Sequence, residues 1–197
     1  MKALRFSLWS LAIVLFLTAC AGAQARFSTP FTFIPGISAN VDDGGVRDFR
    51  CGGRTYAGHC GTDFLVGRGT PTYAAASGYV NRTNSNCPEG YYCDQCGGGF
   101  GNYVRMYADI DGSWEYIVAH LSQVDLGVDD YSDCNTGPRL GLSGNSGCST
   151  GPHCHFQVYH YYAGCQSDDP YAGDCAGPES FWVGQEYNQD ISSNDCQ

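Results

Sequence analysis

Basic side chains are scarce. Ten lysines and arginines stand against twenty acidic residues in a chain of 197, a formal charge of −10. A phosphate backbone attracts basic surfaces, so this balance argues against nucleic acid as a partner. It bears less on an anionic cell wall, because a local patch can defy the total. Long apolar runs are missing beyond the first twenty residues, and a helix that spans a bilayer needs roughly 20 apolar residues in succession. No transmembrane segment is therefore expected. No stretch carries a helical hydrophobic period, and no internal repeat is visible.

The first residues instead carry an export pattern. Lys2 and Arg5 precede an apolar run from Phe6 to Ala19, and small residues follow directly. That order describes a secretory signal. Ala21-Gly22-Ala23 and Ala23-Gln24-Ala25 are both sites for an ordinary signal peptidase. Leu17-Thr18-Ala19-Cys20 also looks like a lipobox, in which Cys20 would carry a lipid anchor. The expected division is a signal peptide over residues 1–25 (or 1–19 with lipidated Cys20), a polar leader strand or linker over 26–50, one functional domain over 51–184, and an acidic polar tail over 185–197. The domain is large enough for a core of its own. A secreted, periplasmic or envelope-bound monomer is expected. The leader is also short enough to lie partly across a groove, in which case deleting it would raise activity.

Twelve cysteines in an exported chain read first as disulfides. Setting Cys20 aside leaves eleven, an odd number, so one thiol stays over and the connectivity is open. Residues 86–99, with Cys87, Cys93 and Cys96, read as a surface loop stapled by disulfides. Cys93-Asp94-Gln95-Cys96 is a C-x-x-C, but no second one supplies the other half of a four-ligand zinc site. Twenty-seven glycines separate short β-branched and aromatic runs. Strands are expected at 63–66, 71–76, 78–82, 103–107, 114–120, 139–142 and 155–159, which makes the fold class all-β and antiparallel.

Chemistry concentrates on histidine, of which there are five. His59 and Asp63 lie in Gly58-His59-Cys60-Gly61-Thr62-Asp63, where glycine disfavours a helix and the two side chains would converge from a turn or strand end. Neutral imidazole and carboxylate are good zinc ligands. In Gly151-Pro152-His153-Cys154-His155-Phe156, residues two apart share a strand face, so His153 and His155 project together while Cys154 and Phe156 point to a core. His120 ends an apolar strand. Alone it reads as a core-edge histidine, just as His59 and Asp63 alone read as surface groups. His160 sits among tyrosines and matches nothing.

Together and in this order the segments resemble the lysostaphin- or LytM-type zinc endopeptidases. The resemblance runs from Gly58 to Tyr171. It rests on H-C-G-T-D-F (His59 to Phe64), the run Gly69 to Val80, Gly101 to Val104, Y-x-x-A-H-L-S ending at Ser122, and Gly141 to Phe156, which closes on G-P-H-C-H-F. It implies antiparallel sheets forming an open groove, one Zn2+ per chain held by His59, Asp63 and His155, and His153 and His120 as the catalytic histidines. His153 is the more natural general base, with His120 steadying the tetrahedral intermediate, although the residues alone do not separate those roles. Three protein ligands leave a fourth zinc position open, the mark of a catalytic site. The implied substrate is a peptide cross-link of peptidoglycan. A glycine-rich peptide or protein, and a wall-binding or hydrolase-activating module without hydrolysis, are the alternatives; an extracellular interaction domain with incidental histidines is a third. The chain departs from the family pattern in its cysteine-bearing insertion and in Cys60, Cys148 and Cys154.

Overall fold

The computed structural model describes residues 26–90, 92–93, 95–110, 113–160 and 167–196. The export signal and Cys20 lie outside the described residues, as does Cys165. Strands β1 (Gly36–Ala39), β2 (Thr62–Leu65), β3 (Pro71–Thr72), β4 (Gly78–Asn84), β5 (Asn102–Ala108), β6 (Trp114–Val124), β7 (Tyr131–Ser132), β8 (Gly141–Ser143), β9 (Cys154–His160) and β10 (Ser167–Asp168) form one sheet in which every strand pairing is antiparallel. The main order is β1-β2-β9-β6-β5-β4-β7, with β8 on β6 and β3 on β8. A single 3-10 turn, Gly97–Gly99, is the only helical element among the described residues. The all-β, open-sheet expectation therefore holds.

Alternation explains why the sheet has two differently used faces. Along β9, Cys154, Phe156 and Val158 enter the main core, where they meet Phe64, Tyr116, Val118 and Trp182. His155, Gln157 and Tyr159 turn to the other face. There Ile117, Ala119 and Tyr159 form a second, smaller cluster, with Phe100 and Tyr103 packed against it. β6 is buried along most of its length because it pairs on both sides, with β5 and β9.

Two strands differ from the sequence expectation. The strand expected over 71–76 ends at Thr72, and the following alanines, Ala74 to Ala76, are core-buried without strand geometry. The strand expected over 139–142 is shifted to Gly141–Ser143. The segment 26–50 contributes Phe27, Phe31 and Phe49 to the main core and adds β1 to the edge of β2. It is built into the fold, so deleting it would strip core aromatics rather than simply open a groove. Cys51 faces Cys175, Cys87 faces Cys96, Cys93 faces Cys148 and Cys134 faces Cys196, each pair close enough for a disulfide. The C-x-x-C cysteines thus pair elsewhere and not with each other. Cys60 and Cys154 are free thiols.

Candidate metal centre and active site

The register of the sheet assembles the site. Asp63 on β2 lies directly opposite His155 on β9, and Ala119 on β6 faces His155 from the other side. A small side chain at Ala119 leaves the imidazole its space. Asp63 Oδ1 stands 2.8 Å from His155 Nδ1 and 3.1 Å from His59 Nε2, and those two nitrogens are 3.3 Å apart. All three side chains are buried. Their donor atoms lie within 4.8 Å of one another, a group that could hold a metal ion.

The second nitrogen of each imidazole is committed. His59 Nδ1 lies 2.7 Å from the Asn40 carbonyl oxygen and His155 Nε2 lies 3.2 Å from Gln157 Oε1. Each oxygen is placed to accept an N–H, the tautomer in which the other ring nitrogen would offer its lone pair to a metal ion. Tyr56 donates its hydroxyl to Asp63 Oδ2 at 3.3 Å, and its ring stacks on His59 with centroids 4.3 Å apart. Gly61 is required by the same crowding: a Cβ there would fall 2.5 Å from the Phe156 carbonyl oxygen and 2.6 Å from the His155 ring. Burial alone would raise the Asp63 carboxyl, but hydrogen bonds with His153, His155 and His59 hold it well below the usual carboxylate range.

His153 and His120 stand beside this cluster. His153 Nε2 is 3.5 Å from Asp63 Oδ1, and its Nδ1 is 2.8 Å from the Gly151 carbonyl oxygen. His120 Nδ1 is 2.8 Å from the Ser146 carbonyl oxygen, and the His120 and His153 rings are 4.7 Å apart. Burial works against the charged form of His153, and the hydrogen bond and charge of Asp63 outweigh it and raise its pKa. His120 is pushed down to about 3 by its burial and by repulsion from His155 and His153.

The placement of His120 depends on an irregularity in β6. Tyr116 and Val118 face the main core, so strict alternation would send residue 120 there too. His120 instead adopts φ 59°, in the left-handed region, and the register against β5 slips between Val118 and Leu121. A bulge of this kind re-aims a side chain. It turns His120 to the site and lets Leu121 enter the core. Such a backbone costs of order 1–3 kcal/mol and persists where the surroundings over-determine it, commonly at active sites.

The structure therefore brings together all five residues singled out in the sequence, His59, Asp63, His155, His153 and His120. His160 lies apart, against Trp114 at 4.6 Å between centroids. Sequence reading missed Tyr56, Gln157 and the carbonyls of Asn40 and Ser146. Gln157 was within reach, since it shares the face of His155 by the two-residue rule. Tyr56 and the carbonyls are set by loop conformation, which leaves no pattern in a single sequence. Beside the cluster a cavity of about 590 Å3 is lined by Ser38, Tyr56, Asp63, Leu65, Pro152 and His153.

The chain is 31% identical over 122 residues to the peptidoglycan DD-endopeptidase ShyA of Vibrio cholerae, covering 62% of this chain and 24% of that protein. It is 34% identical over 136 residues to an uncharacterised metalloprotease of Haemophilus influenzae, covering 69% of this chain and 23% of that one. The chain thus spans about a quarter of the length of these relatives. The catalytic domain of the prophage-encoded M23 protein EnpA from Enterococcus faecalis, solved as a single-site mutant, shares the fold at a TM-score of 0.52 and 24% identity, over 76% of this chain and 96% of that domain. Residues 57–170 match the model of peptidase family M23, and the chain belongs to that family.

Proposed function

We propose that this protein is an exported zinc metalloendopeptidase that hydrolyses peptide cross-links of bacterial peptidoglycan. The observation that carries the reading is the convergence of His59, Asp63 and His155 donor atoms, buried and with the far nitrogen of each imidazole already occupied. Two imidazole nitrogens and a carboxylate oxygen are a zinc donor set, and three protein ligands suit a catalytic rather than a structural ion. Zinc held there would supply Lewis acidity, polarising the scissile carbonyl and lowering the pKa of water at the open position to about 7.

The chain's own groups do the rest. His153 donates Nδ1–H to Gly151, so its Nε2 lone pair is free to take a proton from the attacking water, and the imidazolium that forms has the Asp63 carboxylate 3.5 Å away. His120 gives Nδ1–H to the Ser146 carbonyl and lies beside His153, rings 4.7 Å apart; its Nε2 would first have to take up a proton before it could steady the developing oxyanion. Peptidoglycan as the substrate is supported by the name of the Vibrio relative and by the family. Export is supported by Lys2, Arg5 and the run that follows, and oxidised cysteine pairs accord with it. A protease for glycine-rich proteins, and a wall-binding module without hydrolysis, remain the competing readings.

The test is to incubate purified protein with peptidoglycan sacculi, with and without a zinc chelator, and to identify released fragments by mass spectrometry. Chelator-sensitive release of peptides with new termini is expected. A zinc-loaded protein that binds sacculi of several wall types and releases nothing would contradict it and favour the binding module. Cleavage confined to a glycine-rich protein would move the substrate.

A further inference from the structure

Beyond residue 25 every basic side chain is an arginine, and there are eight of them. Arg50, Arg54, Arg68, Arg105 and Arg139 form ion pairs with carboxylates. Arg26 and Arg47 donate to backbone carbonyls. Arg82 alone, among the described residues, has no hydrogen-bond or ion-pair partner, although acidic residues outnumber basic ones two to one.

Its position makes this more than a solvated surface charge. Arg82 on β4 is registered directly opposite Arg105 on β5. Like charges directly opposite on a strand pair are destabilising. Arg105 is held by Glu115, which is itself buried, and lies over the Tyr159 ring at 4.2 Å. Its charge is balanced, and the local excess of one positive charge belongs to Arg82. Both arginines line a cavity of about 270 Å3 with Phe100, Tyr103 and Ile117. That cavity lies on the same sheet face as His155 and Gln157. It shares Gly98 and Phe100 with the cavity of about 250 Å3 that reaches His59, His120 and His155. The Phe100 ring is 5.8 Å from the His155 ring and 6.1 Å from that of Tyr103. An aromatic floor thus leads from the metal centre to an unpaired guanidinium.

We propose that Arg82 is a specificity-determining residue, receiving a free carboxylate of the peptide substrate at the far end of a groove floored by Phe100 and Tyr103. The proposal rests on the peptidase reading above, since stem peptides of the wall carry free carboxyl groups. A planar guanidinium can take a carboxylate through two parallel N–H donors. Arg82 is exposed, so the gain is modest, at most about fivefold in affinity.

The test compares native sacculi with sacculi whose carboxyl groups have been converted to amides by carbodiimide and ammonia. Affinity is measured by co-sedimentation, and cleavage is followed in parallel. Amidation removes negative charge from the wall and so relieves its repulsion of an acidic protein. General electrostatics therefore predict tighter binding after amidation, whereas the subsite predicts weaker binding. The ratio of affinities for native and amidated sacculi is expected to be higher in wild type than in Arg82→Gln, by at most about fivefold. Arg82→Lys should lie between. Equal ratios in wild type and Arg82→Gln would overturn the proposal. Absence of cleavage by wild type would count against the peptidase reading alone, because the affinity ratios read the subsite independently. Thermal unfolding checks that Arg82→Gln folds, and removing one of two opposed cations should not lower its stability.

Discussion

At the scale of single residues, the site is defined as much by what stands behind the candidate ligands as by the ligands. Tyr56 touches both partners of the first motif, its hydroxyl on Asp63 Oδ2 and its ring on His59. Tyr56→Phe keeps the ring and removes only the hydrogen bond. Groups behind a metal ligand are worth about 10–100-fold in metal affinity, and Tyr56→Phe should lose about tenfold in a chelator competition; unchanged affinity would leave the ring contact as its whole contribution. Gly61 is constrained differently, by space. The His155 ring and the Phe156 carbonyl occupy the place of a Cβ, so Gly61→Ala should displace His155 and abolish metal binding, measured by zinc content of the folded variant. Retained zinc would mean that β2 and β9 can part without losing the site. The free thiol of Cys154 takes no part: it is fully buried, and burial raises its pKa.

At the scale of elements, the short aromatic and β-branched runs were legible because alternation and glycine punctuation survive in a single sequence. The pair His153 and His155 was legible for the same reason, and the sheet does turn both toward Asp63. What alternation could not reveal is the break in it. The left-handed backbone at His120 reverses the facing of Leu121, and nothing in A-H-L-S announces a bulge. Short edge strands such as Tyr131–Ser132 escaped for another reason, since two residues carry no period. The stapled loop expected over residues 86–99 has its backbone tied to the segment that serves His120. Gly90 and Tyr92 donate to Asn145 and Gly147, and Cys148 donates to Gly99. Cys93 opposite Cys148 closes 55 residues of chain. A crosslink of that span typically contributes about 2–4 kcal/mol, so the double variant Cys93→Ser, Cys148→Ser should melt several degrees lower, with peptide mapping of the wild type showing the 93–148 link. An unchanged melting temperature would mean that backbone pairing alone secures the loop.

At the scale of the whole molecule, the segment 26–50 and the carboxyl-terminal residues close over one end of the core, where Phe49 stacks on Tyr171 at 4.4 Å. Residues 26–50 read as a leader strand or linker because polar and turn residues outnumber the three phenylalanines that anchor the segment. The same region gathers acid. Burial first, and then its hydrogen bond with Asp43, pushes the Asp169 carboxyl well above the ordinary range; Asp43 is raised by burial and by repulsion from Asp42 and Asp48. A raised carboxyl means that the folded state holds the proton more tightly than the unfolded chain. Its contribution is present in full below about pH 4 and is lost as pH rises through the folded value. Asp169→Asn removes that titration, so the melting temperature of the variant relative to wild type should rise between about pH 5 and about pH 9; a constant difference would show that the two carboxyls do not share a proton.

The central claim is that one zinc ion on His59, Asp63 and His155 serves catalysis by neighbouring histidines. It is tested most directly by measuring zinc content and sacculus cleavage together in wild type, His155→Ala and His153→Ala. The account predicts about one zinc and cleavage in wild type, neither in His155→Ala, and retained zinc with cleavage reduced about 10²–10⁴-fold in His153→Ala. Full cleavage by His155→Ala, or by a zinc-free wild type, would contradict it.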